Sequence, residues 1–188
     1  MPKLALLVLL AALPALPRSA DAQSGLIVFG HAGRAWPAVD LSDAGDRLTS
    51  AFTYGAGVAL QIGGRIALRG SLTRSAPGYR GTTVALADSG MTRTYLGGDL
   101  QVGWPGTTSL VPYVVVGGGV MQSDPADGSQ GTVTDVAGRL GLGANRLIGV
   151  GAVFLEVTAT GYKFTGLGFD RLQIDVTLQA GLALAVPF

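Results

Sequence analysis

The chain has 188 residues, room for one domain, with 13% charged and 48% hydrophobic residues, 30 Gly and a net charge of +1. Charge is about half the ~25% of ordinary soluble domains, so part of the surface is expected to face something other than water. The near-neutral balance, with Lys only at Lys3 and Lys163 and no basic run, excludes a nucleic-acid partner. The absence of Cys removes disulfides, thiolate catalysis, Cys-based zinc sites and a Cys-linked lipid anchor.

The first 22 residues read as an export signal. Lys3 gives a positive start, Leu4 to Leu16 an apolar core, and Ala20-Asp21-Ala22 the small-x-small pattern of signal peptidase. Cleavage is expected after Ala22, leaving Gln23 as the mature N-terminus and 23–188 as one domain. The apolar run falls short of the about 20 residues that a spanning helix needs.

The remainder alternates with period two, the strand signature. Eight strands are expected, at about 26–34, 49–62, 65–75, 92–104, 110–121, 132–144, 150–162 and 171–188. The last is the clearest. Leu172, Ile174, Val176, Leu178, Leu182, Leu184, Val186 and Phe188 fall on one face; Arg171, Gln173, Asp175, Thr177 and Gln179 fall on the other. Phe52 to Ile62, Ile66 to Leu72, Leu96 to Trp104, Val136 to Leu142 and Val153 to Ala159 divide in the same way. The strands at 26–34 and 110–121 are partly apolar on both faces, which leaves their registers open. The links alternate: Ala35 to Leu48, Ala76 to Met91 and Gln122 to Gly131 are long; Gly63-Gly64, Pro105 to Ser109 and Asn145 to Gly149 are short; Lys163 to Asp170 is of middle length.

Alternation does not say which face points inward. Four features place the apolar face outside. The polar face mixes Gly, Ala, Ser and Thr with charges of both signs. That suits an eight-stranded interior only just wide enough for side chains. Arg65, Arg69, Arg93, Arg139 and Arg171 are expected to pair there with Asp99, Asp135, Glu156 and Asp175, because an unpartnered buried charge is prohibitive. Aromatics lie near strand ends as girdles would, with Trp104, Tyr113 and Phe188 at the short-turn end and Phe52, Tyr54, Tyr162 and Phe164 at the long-loop end. Eight strands can close, and a closed barrel is the β-structure that lipid tolerates. The fourth feature is the closing segment.

Leu182-Ala183-Leu184-Ala185-Val186-Pro187-Phe188, ending on an aromatic after alternating apolar residues, resembles the C-terminal signature of bacterial outer-membrane β-barrels. Long loops on one side and short turns on the other fit the same group. Among its members the chain is most similar to the small OmpA/OmpX/OmpW-like barrels. The resemblance implies an all-β, eight-stranded antiparallel up-and-down transmembrane β-barrel with a polar packed interior, located in the cell outer membrane. It also implies outer-membrane lipid and lipopolysaccharide as surroundings, recognition of Phe188 by the barrel-assembly machinery, and a monomer. Pro187 departs from the pattern, since it cannot donate a ladder hydrogen bond, but it lies at the strand tip.

Little in the sequence carries chemistry. His31 is the sole histidine and lacks the expected nearby Ser; Ser24 and Ser50 could approach it only through strand pairing the sequence does not give, and without a placed nucleophile it does not make a catalytic pair. One histidine gives too few ligands for a transition metal. Asp40, Asp43 and Asp46 lack the EF-hand pattern and read as a solvated loop, with loose cation binding as the alternative. Gly117-Gly118-Gly119 lacks the residues of a phosphate loop. No catalytic residue, cofactor or metal is therefore expected. The function read from the sequence is a non-enzymatic barrel with a structural or adhesive role, or one in small-solute passage. Two alternatives stay open: a lipid-modifying enzyme using His31, and a soluble exported barrel that turns its apolar face inward around a ligand.

Overall fold

The computed structural model describes residues 25–62, 64–81, 90–104, 110–125, 131–165 and 169–186. Residues 1–22, expected to be an export signal, and Phe188 lie outside the described residues.

Ten strands form: β1 (Gly25–Pro37), β2 (Arg47–Leu48), β3 (Ala51–Ile62), β4 (Ile66–Ser75), β5 (Tyr79–Arg80), β6 (Met91–Gly103), β7 (Leu110–Pro125), β8 (Val133–Ile148), β9 (Gly151–Phe164) and β10 (Arg171–Val186). Eight of them close a barrel in the order β1-β10-β9-β8-β7-β6-β4-β3, every pair antiparallel. Closure comes from β1, which pairs with β10 through Leu26↔Val186 to Pro37↔Asp175 and with β3 through Gly25↔Gln61 to Ala35↔Ala51. No edge strand is left in the barrel, so every wall strand has its ladder satisfied without water.

Period-two alternation becomes two surfaces. Leu140 is 62% exposed, Leu142 66% and Leu182 64%, whereas Arg93, Glu156 and Gln173 on the opposite face are 2% exposed or less. Twenty-nine large apolar side chains among the described residues are exposed. In water they would form a patch far beyond the roughly 300–600 Å² found on soluble monomers. A soluble barrel with its apolar face turned inward is the opposite arrangement and is not the one formed.

The interior is filled by matching large side chains to glycines on the adjacent strand. Phe29 lies opposite Gly57, Tyr113 opposite Gly143 and Phe154 opposite Gly181 in the register. A Cβ added at any of the three would run into that ring. The Gly content of the polar face is thus a packing requirement of a narrow barrel.

Four expectations need correction. Tyr113, Tyr162 and Phe164 point into the barrel, at 2%, 1% and 0% exposure, and do not belong to an outer girdle. Each falls on the inward parity of its strand, with Val115 on β7 and Thr158 and Thr160 on β9. The outward aromatics are Trp36, Phe52 and Tyr54 at the loop end and Trp104 at the turn end. Strands also run past the predicted ends: β1 to Pro37, β7 to Pro125 and β8 to Ile148. Ladder pairing continues there after the apolar alternation has stopped. Arg65 is exposed in the β3–β4 turn, and Arg171 pairs with Asp43 outside the barrel, so neither joins the interior charges. Finally, 38–46 is an ordered loop, for the reasons given below.

Candidate functional site

Three ion pairs succeed one another along the lumen. Nearest the short turns, the Arg69 guanidinium on β4 meets the Glu156 carboxylate on β9 at 2.6 Å. Glu156 also accepts hydrogen bonds from Tyr113 at 3.0 Å and Gln179 at 2.7 Å. Arg69 donates to Gln101 at 3.3 Å and lies 4.9 Å from the Phe29 ring centre. In the middle, Arg139 reaches Asp99 at 3.5 Å and Ser71 at 3.2 Å while stacking 3.7 Å over the Tyr95 ring. Toward the loops, Arg93 binds Asp175 at 2.7 Å and donates to the Tyr162 hydroxyl, which donates to Asp175 at 3.3 Å. All six charged residues are at most 8% exposed. Burial of this kind is tolerable because each charge has a partner of opposite sign, and all but Asp99 have a further donor or acceptor beside it. The remaining predicted acid, Asp135, accepts a bond from Thr165 at 2.8 Å in place of an Arg partner.

Among the described residues, an apolar cluster fills the lumen at its loop end. Leu41, 1% exposed, descends from the β1–β2 loop onto Met91, Tyr95, Met121, Tyr162 and Phe164. The loop is held in place by its own polar groups. Leu41 N–H donates to Asp46 O at 2.6 Å, and Gly45, at φ 85°, turns the chain. The Asp46 carboxylate accepts from Ser42 at 2.6 Å and from the Tyr79 hydroxyl at 2.6 Å. The β2–β5 pair, Arg47↔Arg80 and Leu48↔Tyr79, ties this loop to the next. Burial and the Asp46 carboxylate push the Tyr79 hydroxyl up to about 12. The three loop aspartates therefore do not share a cation cage: Asp46 is buried on Tyr79 and Ser42, Asp43 pairs with Arg171, and Asp40 offers its backbone oxygen to Gln173. No cluster of three metal-ligating side chains occurs among the described residues.

Two hollows remain. One, of about 30 Å³, lies between Arg139 and Arg93 beside Thr53, Tyr95 and Asp175, roughly the room of a single water. The other, of about 210 Å³, opens at the short-turn mouth over Phe29 and Phe154 and has Arg69 at its depth.

His31 is 7% exposed inside the barrel, with Nε2 3.4 Å from the Thr73 hydroxyl. Ser50 instead accepts hydrogen bonds from Arg34. The lipid-facing His–Ser pair that a membrane-lipid enzyme would need is not assembled from these two, because His31 sits on the inward parity of β1.

Leu41, Tyr79 and the hydroxyl partners of the ion pairs escaped the sequence reading. Tyr162 could have been found from the parity of its strand, and Gln179 already stood on the polar face; Tyr113 lies on the strand whose register the alternation leaves open. Leu41 could not be found, since one Leu in a polar loop carries no periodic signal.

The sequence matches no family model and no curated protein. Solved structures do match. Neisserial surface protein A is 13% identical over 86% of this chain and 97% of its own, with a TM-score of 0.66. The outer membrane protein OprG of Pseudomonas aeruginosa is 14% identical over 89% and 98%, with a TM-score of 0.55. Ail, the attachment invasion locus protein of Yersinia pestis, is 9% identical over 88% and 99%, with a TM-score of 0.52. The chain thus has the fold of the small eight-stranded transmembrane β-barrels of bacterial outer membranes.

Proposed function

We propose that this protein is a non-enzymatic outer-membrane barrel, closed to solute, whose work is structural or adhesive. The observation that carries the reading is the filled lumen. Three buried ion pairs and the Leu41 plug lie in series between the mouths. A hydrated ion would have to break at least one buried charge pair to pass, and that costs about 3–5 kcal/mol each time. Solute passage is therefore the poorer reading of the two. The apolar outer wall supplies the anchor, and the β1–β2 loop, tied to the next loop by the pairing of β2 with β5, supplies part of the presented surface. Ail, an attachment invasion locus protein, gives the adhesive role a precedent on this fold.

Export by residues 1–22 and assembly through Phe188 belong to the same proposal, with a mature chain starting at Gln23. Fractionation of a producing Gram-negative cell, followed by mass measurement and planar-bilayer recording of the purified barrel, tests it. The expected result is an outer-membrane species beginning at Gln23 that migrates differently when boiled and shows no steady conductance. Reproducible unit conductance from the wild-type barrel would restore solute passage in its place.

A further inference from the structure

We propose that the short-turn mouth of the barrel is a binding site for a small organic anion with a compact apolar body, an aromatic monocarboxylate of about benzoate's size, whose carboxylate is held by Arg65.

Size and lining come first. The hollow measures about 210 Å³, and an apolar cavity of about 150 Å³ is enough for benzene. A ring with one carboxyl group therefore fits, whereas a long acyl chain does not, because the Arg69–Glu156 pair closes the depth. Its walls include Phe29, Ala59, Ala67 and Phe154, all buried and in mutual contact. Phe29 and Phe154 meet edge to face, with ring centres 6.2 Å apart at 82°. That geometry leaves aromatic surface for a third ring. Gln61, Gln101, Asn145 and Tyr113, with the guanidiniums of Arg65 and Arg69, add a few polar groups to a lining that is mostly apolar, the usual make-up of a small-molecule site.

Charge selects the sign of the ligand independently. The segments forming the turn end, Leu60–Leu68, Gln101–Val115 and Gly143–Val153, contain Arg65 and Arg146 and no Asp or Glu. Arg65 is exposed, lines the hollow and makes no ion pair among the described residues. The nearest carboxylate in the lumen, Glu156, already accepts from Arg69, Tyr113 and Gln179. A cationic ligand would find no side-chain carboxylate left to pair with among the described residues here. A carboxylate would find a guanidinium fork able to bind it through two parallel hydrogen bonds.

The test uses the full-length mature barrel in lipid nanodiscs, titrated with benzoate at pH 7 and followed by saturation-transfer NMR and calorimetry. Empty nanodiscs report partition into lipid. Saturable binding beyond the empty discs is expected, with benzyl alcohol at least tenfold weaker. Arg65→Gln should weaken benzoate at least fivefold while leaving benzyl alcohol unchanged. Ala59→Leu, which fills the hollow, should abolish both signals; Ala183→Leu does the same from another strand if the first variant does not fold, as judged by heat-modifiable migration. Equal signal from empty discs, equal binding of the neutral alcohol, or wild-type binding by Arg65→Gln or by the folded filling variant would overturn the proposal.

Discussion

Glu156→Leu removes the acceptor at the centre of the ion pair nearest the short turns. In the folded barrel that carboxylate, 1% exposed, satisfies the Arg69 guanidinium at 2.6 Å, Tyr113 at 3.0 Å and Gln179 at 2.7 Å. Leu strands a buried cation and two buried donors. Breaking one partner of such a pair costs about 3–5 kcal/mol, and each orphaned neutral donor adds about 1–3 kcal/mol before relaxation. Since neighbouring losses are not additive, about 4 kcal/mol is expected for the single variant. At a urea slope of about 2 kcal/mol/M this is a midpoint shift of roughly 2 M. Arg69→Met with Glu156→Leu removes both charges together, so the double variant should lose less than Glu156→Leu alone. Equilibrium unfolding from lipid vesicles across the four-member cycle measures the coupling directly. A single-variant shift under about 0.5 M, or strict additivity in the cycle, would refute the pairing as the organiser of the lumen.

Other consequences follow from the same coordinates. Gly57→Ala should cost about 1–3 kcal/mol, because the new Cβ meets the Gly70 carbonyl oxygen and the Phe29 ring. Gly138→Ala, whose Cβ meets nothing within 4 Å, should be neutral or stabilising by up to about 1 kcal/mol in the same unfolding assay. Leu41→Ala should cost about 2–4 kcal/mol of loop packing and speed tryptic cleavage at Arg47 while the strands stay protected. Tyr79 is held near 12 against about 10 when unfolded. The folded loop therefore binds that proton more tightly. Its contribution to stability is complete below pH 10 and is lost as pH rises through 12. Tyrosinate absorbance at 295 nm should lose a step near pH 12 in Tyr79→Phe.

Much of the architecture was legible because membrane barrels write their structure in parity. Leu172 to Val186 separates from Arg171 to Gln179 only in an extended chain, and that split placed Glu156, Arg69, Arg93, Arg139, Asp99 and Asp175 on one face before any pairing was known. Which Arg meets which acid was not legible. Glu156 and Arg69 are 87 residues apart and sit on strands that are not neighbours, so their meeting depends on barrel curvature across the lumen. Tyr162 was misplaced by its position near a strand end, although its parity with Glu156, Thr158 and Thr160 already pointed inward; Tyr113 sits on a strand partly apolar on both faces, where parity gave no side. The Leu41 plug and the β2–β5 tie depend on loop geometry, where no periodicity exists to be read.

The outward setting of the apolar face is the claim on which the rest depends. Because the chain has no Cys, single spin labels can be placed at Leu140→Cys, Leu155→Cys and Leu182→Cys, at positions 62%, 56% and 64% exposed. Their relaxation in liposomes by oxygen, which concentrates in hydrocarbon, is then compared with relaxation by a water-soluble nickel chelate. Oxygen-dominated relaxation at all three sites is the expected result. Chelate-dominated relaxation there, or labels immobilised and reached by neither reagent, would mean that these leucines face water or a core, and the barrel wall would not be a lipid-facing one.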